Sequence, residues 1–179
     1  ARYFPDLKML FLKGKYGTGN ITYQFANDEW IRSPNPLDSI PWSHIHYNKK
    51  DQGFWVVSEK QLIHYSKDFR LIHTYTPAEG LPDIDIYSLI VDTQGNIWFN
   101  TDRSIHLLNP ATGVISTLSE KDGFEQQGFS DGPALAMGPQ GDLYLGGGIY
   151  GSGLTRISPQ KFTYTPSSVY LQSLTINQS

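Results

Sequence analysis

The chain has 179 residues, a net charge of -3 and a pI near 5.9. Charged residues at 17% against 39% hydrophobic exclude a disordered tail, and an acidic balance with no basic stripe excludes a nucleic-acid-binding surface. The lack of cysteine excludes disulfides and thiolate metal centres, and no apolar run reaches the ~20 residues that span a bilayer. The sequence starts at Ala1 without Met or a signal peptide, and is expected to be a processed or trimmed product.

Aromatic residues at 13%, with 17 Gly and 11 Pro, favour strands and turns. In chain order, the first strand pair is predicted around Phe11 in "LFLKGKYGTGNITYQF", with its second strand entered at Ile21. The turn strand that should precede Phe11 is missing from the pattern, so this first unit is expected to be incomplete. Next, "LDSIPWSHIHYNKK" leads through "DQG" to Trp55 in "FWVVSEKQLIHYS". "EGLPDIDIYSLIVD" then leads through "TQGN" to Trp98 in "IWFNTDRSIHLLN". Finally "KDGFEQQGFSDGPALAM" leads through "PQGD" to Tyr144 in "LYLGGGIYGSGLTRIS". Gly in these turns is expected to supply positive φ.

The four aromatics lie 44, 43 and 46 residues apart. The strand after each opens seven residues later in the middle copies, at Leu62 and Ile105, and ten residues later in the outer ones, at Ile21 and Leu154. Each unit reads strand, turn, aromatic strand, hairpin, strand, loop, strand. A period of about 44 residues with four short strands describes a β-propeller blade. The fold class is therefore all-β: a partial β-propeller of four-stranded antiparallel blades covering residues 1–162. Phe11, Trp55, Trp98 and Tyr144 are expected in the core between blades. Residues 163–179 read as a linker and a strand outside the repeat.

Other motifs weigh less. Gly128-Phe129-Ser130-Asp131-Gly132 fits a nucleophile elbow, but the strand-to-helix context is absent. Gly146 to Gly151 fits a dinucleotide loop without the helix that would receive the phosphates. His44 and His46 share a strand face, yet no third ligand stands at metal spacing, and His64 and His106 fall one residue out of register with each other. Asn20-Ile21-Thr22 fits a glycosylation acceptor but falls in a strand. No metal, cofactor or catalytic residue is expected.

The stretch "GLPDIDIYSLIVDTQGNIWFNT" resembles the two-component-regulator propeller repeat, in Gly80, Leu81, Pro82, Asp92, Gly95, Asn96, Trp98 and Thr101. Residues 122–162 are similar to the Gly-rich last blade of such sensors, and "VYLQSLTINQ" to the first strand of the Tyr-rich β-sandwich that follows it. The blade around Trp55 departs from the Asp-x-x-Gly-Asn spacing by one residue. The resemblance implies the periplasmic sensing region of a hybrid two-component histidine kinase, joined to the membrane only through a helix downstream. It also implies a ligand that is often an oligosaccharide released from a polysaccharide. The open sheet edges of a partial propeller lead to the expectation of a homodimer in the parent.

The connection between blades varies most among the copies: "PWSHIH", "PDIDIY" and "EQQGFS". Glycan sites combine an aromatic platform with carboxylates and amides. Trp42, His44, Asp83, Asp85, Glu125 and Gln126, with Tyr150 on the Gly hairpin, are the candidate ligand-binding residues. A propeller-class lyase of the streptogramin-inactivating type, and a protein-interaction propeller, are the alternatives.

Overall fold

The apolar runs within each repeat are too short for helices and are punctuated by Gly, Asp and Asn, so the chain forms antiparallel strands. The computed structural model describes residues 1–14, 19–102, 104–118, 135–146 and 154–161. The first sheet holds β1 (Arg2–Phe4), β2 (Met9–Leu12), β3 (Ile21–Ala26) and β4 (Glu29–Arg32). The second holds β5 (Trp42–Asn48), β6 (Gly53–Ser58), β7 (Gln61–Ser66) and β8 (Leu71–Tyr75). The third holds β9 (Ser88–Val91), β10 (Ile97–Asn100), β11 (Ile105–Asn109) and β12 (Val114–Leu118). In the fourth, three strands are described: β13 (Leu135–Met137), β14 (Leu143–Gly146) and β15 (Leu154–Ile157).

Each sheet is one repeat, meandering in chain order. The first strands of successive sheets meet: β5 packs against β9, and β9 against β13. Ser88 Oγ ties the latter two by accepting the Leu135 backbone N–H at 3.3 Å. First strands at the centre and last strands outside make these sheets blades of a partial β-propeller.

The blades pack face to face through three apolar seams. On β6, Phe54 and Val56 enter the seam with the first blade, while Trp55 and Val57 enter the seam with the third. Ile97 and Phe99 on β10 point back to the second blade, and Trp98 points on to the fourth. Both faces of these strands are buried, so they read as unbroken apolar runs instead of alternating ones.

Phe11, Trp55 and Trp98 occupy equivalent places on β2, β6 and β10 and are fully buried, as the repeat implies. Tyr144 takes the same place on β14 but is only half-buried. Its neighbours Leu143 and Leu145 face the third blade, so Tyr144 faces the other side, which no described strand covers. The first blade, expected to be incomplete, has all four strands. Its opening strand escaped notice because Arg2–Phe4 is three residues long, mostly exposed, and joined to β2 by a 3-10 turn at Pro5–Leu7 rather than by a glycine turn.

The turn after each first strand is tailored to its ring. Asp92 Oδ1 accepts the backbone N–H groups of Gln94 (2.8 Å) and Asn96 (2.9 Å), and its Oδ2 accepts the Trp98 indole N–H at 2.8 Å. Gly95 closes this turn at φ +88°. In the second blade Asn48 stands where Asp92 would, the turn is one residue longer, and Asp51 within it supplies the carboxylate. Its Oδ2 accepts the Trp55 indole N–H at 3.1 Å and its Oδ1 the Gly53 N–H at 2.8 Å. The one-residue departure in spacing is thus a relocated acceptor in a longer turn.

Positive φ in this turn falls on Gln52 (55°) rather than on Gly53. Gly53 is required for room instead, since a Cβ there would lie 2.5 Å from His64 Nε2 and 2.7 Å from the Tyr65 carbonyl oxygen.

Where the ring has no N–H, the place of Asp92 holds no polar side chain. Phe4 holds the place of Asp92 in the first blade and packs edge-on against Phe11, with ring centroids 5.7 Å apart. Gly138 holds it in the fourth, where a Cβ would come within 2.6 Å of the Tyr144 ring.

Asp92→Ala is expected to cost about 3 kcal/mol, because it strands a buried indole N–H and two turn amides. In a Trp98→Phe background the same substitution should cost roughly 1–2 kcal/mol less. Urea denaturation across this double-mutant cycle measures the difference; equal costs in both backgrounds would disprove the coupling.

Candidate functional site at the inner wall

Because each blade starts at its innermost strand, the hairpins between second and third strands gather at one end with the connections between blades. The turns at 49–52, 93–95 and 139–141 lie at the other. Of the residues expected to bind ligand, Trp42, His44, Asp83 and Asp85 lie toward the first end. Glu125, Gln126 and Tyr150 fall outside the described residues, as does Ser130.

Trp42 opens β5 and is only 4% exposed, enclosed in the seam between the first two blades with Leu37 and Ile45. Its ring packs as core and presents no open platform. The indole N–H is buried without a hydrogen-bond partner among the described residues.

Asp83 and Asp85 are exposed on the connection into β9, and Lys60 Nζ donates to Asp83 Oδ1 at 2.8 Å. The hydrogen bond and charge of Asp83, with Asp85 adding, raise the Lys60 ammonium above its ordinary value. Three charged groups therefore cluster at the rim of the third blade.

His44 and His46 stand on β5, the innermost strand of the second blade. A register shift between Trp42 and His44 sets their phase, so that His44 lies opposite Val57 and His46 opposite Trp55. His44 Nδ1 lies 3.3 Å from Ser43 Oγ. His46 Nδ1 is buried without a partner among the described residues. Burial pushes His46 down to about 4, helped by the charge of Arg2; burial, then Arg2 and Lys13, lowers His44. Both imidazoles are neutral at pH 7. Sequence reading singled out His44 for ligand binding but passed over His46, Arg2 and Lys13. The usable signal was the two-residue spacing of the histidines on a first strand.

Below His46 the wall opens into a cleft of about 510 Å³, lined by Asn48, Lys50, Asp92, Thr93 and Met137 among others. Among the described residues no cluster of three His, Asp or Glu could hold a metal ion.

The other two buried histidines serve the seams. His64 lies opposite Trp55 and stacks on it at 4.1 Å, with Nε2 3.3 Å from Asp51 Oδ2. Burial alone would raise the Asp51 carboxyl, but the hydrogen bonds from His64 and Trp55 hold it below its ordinary value. His106 lies opposite Phe99, one residue out of register with His64 as the spacing implied, and stacks on that ring at 4.9 Å. Its Nδ1 is 3.0 Å from Thr117 Oγ1, and burial pushes its pKa down to about 4.

Fold and inner wall define the class: a segment of a β-propeller with a polar, histidine-bearing channel face. Residues 80–103 match the family model "Two component regulator propeller", and this stretch is a two-component-regulator propeller repeat. Its motif residues have visible tasks. Gly80 ends a 3-10 turn at φ +92°, Leu81 is buried in a seam, and Asp92, Gly95, Asn96 and Trp98 build the turn lock.

Among solved structures, the chain is similar to the extracellular domain of BT3049 from B. thetaiotaomicron, described as a hybrid two-component system. That match has 22% identity and a TM-score of 0.59 over 82% of this chain and 20% of that one. It is similar also to the extracellular domain of BT4673 from the same organism, described likewise, at 20% identity and TM-score 0.54 over 87% of this chain and 20% of that one. A third is a catalytically inactive virginiamycin B lyase from Staphylococcus aureus with quinupristin, at 13% identity and TM-score 0.51, covering 89% and 59%. The chain thus spans about a fifth of the length of the two-component proteins, and at these identities the likeness establishes the propeller fold. No curated protein matches the chain in sequence. Among the described residues no helix is long and apolar enough to cross a membrane.

The two depressed histidines set a pH dependence. Between about pH 4 and 6.5 the folded chain binds fewer protons at His46 and His106 than the unfolded chain, so stability rises with pH across that window and is lost as pH falls through it. His106, 5% exposed, accounts for at most roughly 3 kcal/mol of this. His106→Gln should flatten the rise in urea midpoint between about pH 4.5 and 6.5; an unchanged slope would show that His106 is not a source of it.

Proposed function

We propose that the chain is part of the extracytoplasmic sensor region of a hybrid two-component system. It binds an oligosaccharide derived from a polysaccharide at the inner wall and the adjoining rim, and the parent protein passes the signal across the membrane to a histidine kinase. The observation that carries this reading is the two-component-regulator propeller repeat at residues 80–103. The fold likeness to extracellular domains described as hybrid two-component systems supports it. In this reading residues 1–162 are propeller, 163–179 lead into a following β-sandwich, the compartment is the periplasm, and the parent is a dimer.

The chemistry at the rim suits such a ligand. Asp83, Asp85 and Lys60 offer charged acceptors and donors for hydroxyl groups, and His44 adds a neutral imidazole at the channel wall. Propellers place ligands at this kind of rim or in the central channel.

A second reading, a propeller-class lyase, draws on the likeness to virginiamycin B lyase and on the paired imidazoles of β5. It requires metal-dependent turnover.

One experiment separates the two. The chain is incubated with a panel of oligosaccharides with and without EDTA, and binding and product formation are followed by calorimetry and chromatography. Binding without product, insensitive to EDTA, is the expected result, and Asp83→Asn with Asp85→Asn should weaken it by about tenfold. Turnover that EDTA abolishes would replace the sensor with the lyase.

A further inference from the structure

The first two blades carry basic and imidazole side chains at matching heights, on the innermost strands β1 and β5 and just past the end of β2. Arg2 lies opposite Phe11 in β1–β2, and His46 lies opposite Trp55 in β5–β6; since Phe11 and Trp55 are equivalent, Arg2 and His46 occupy the same rung of neighbouring blades. Lys13 comes two residues after Phe11, as Val57 comes two residues after Trp55, and Val57 is the partner of His44. Lys13, one residue past the end of β2, therefore stands level with His44, on the line of the second strand instead of the innermost one. Each level pairs one permanent cation from the first blade with one imidazole from the second.

Neither Arg2 nor Lys13 has an ion-pair partner among the described residues, although the chain as a whole is net acidic. The charges that reach the two imidazoles are those of Arg2 and Lys13, and no carboxylate is among them. His46 Nδ1 is buried with no hydrogen-bond partner among the described residues, an unused polar atom on this wall. The equivalent rung in the third and fourth blades holds Ile90 and Ala136, so the basic character is confined to one sector of the wall.

We propose that Arg2, Lys13, His44 and His46 form an anion-recognition patch on the inner wall of the first two blades, suited to a carboxylate or sulfate group on the sensed ligand. This rests on the sensor reading and narrows its ligand from oligosaccharides in general to acidic ones. Arg2 supplies a planar fork of donors that matches a carboxylate or sulfate edge, and Lys13 a second positive charge. The neutral imidazoles donate N–H groups without the cost of burying further charge. The sector of the third-blade rim that holds Asp83 and Asp85 repels the same group, which fixes the orientation of an acidic sugar across the channel.

The test uses the whole chain and three probes: digalacturonic acid, its uncharged galactose counterpart, and inorganic sulfate. Binding is read by calorimetry and by the imidazole proton resonances of His44 and His46. The uronate disaccharide is expected to bind at least tenfold more tightly than the neutral one and to shift both histidine resonances. Arg2→Gln and Lys13→Gln, on exposed side chains whose variants should keep the wild-type melting temperature, should each remove most of that preference. Equal binding of the two disaccharides, or a preference untouched by Arg2→Gln, would overturn the patch while leaving a glycan sensor in place. If neither sugar binds but sulfate shifts the two histidines in an Arg2-dependent way, the patch stands and the glycan reading falls. Silence from all three probes would overturn the patch.

Discussion

Leaving a buried indole N–H unpaired is costly, and meeting that cost for Trp55 and Trp98 organises the turns of the second and third blades. Trp55 and Trp98 each place an N–H where water cannot reach, and leaving it unpaired would cost ~1–3 kcal/mol. Asp51 and Asp92 meet the demand, and in doing so the same carboxylates gather the backbone N–H groups of their turns. In these two blades turn geometry, strand register and core packing are thus joined at one side chain each. Where the ring is Phe11 or Tyr144, with no indole to satisfy, Phe4 and Gly138 replace the acid.

From that lock the rest of the architecture follows. The ring it holds fills a seam, and each seam joins only two neighbouring sheets, so the blades behave as a linear array with nearest-neighbour coupling. The seam between the first two blades is the most aromatic: Phe4, Phe11, Phe54 and Phe69 interlock there, with Phe54 and Phe69 stacked at 5.0 Å. The two blades that carry the basic sector of the inner wall are therefore the two held together by interleaved rings. A ligand bridging Arg2 and His46 would span that seam.

Much of the fold was legible because the repeat is written in residues with restricted roles. The ring of the second strand recurs with a period that only stacked blades explain, and it proved to be the same strand position in every blade. The opening strand of the first blade was not legible, since Arg-Tyr-Phe bears neither alternation nor a glycine turn. Trp42 misled for a related reason. It stands off the repeat's aromatic position, which suggested an exposed platform, yet a register shift at the start of β5 turns it into the seam. The inner wall was hidden more deeply. Arg2 and His46 are 44 residues apart and become neighbours in height only once both are paired with their rings.

Burial on both faces has a consequence for how the chain avoids misfolding. In a one-sided sheet, a strand that slips by one residue exposes its apolar side chains to water and is rejected. In β6 and β10 a slip would exchange one core for another, carrying Trp55 into the crowded seam of phenylalanines and Phe54 into the space left behind. Polarity cannot discriminate against that error, because both destinations are oily. What discriminates is the fixed length between a carboxylate and the indole it must reach. Asp51 and Asp92 therefore act as rulers, making the correct alignment of β6 and β10 the one in which the Trp55 and Trp98 N–H groups are answered.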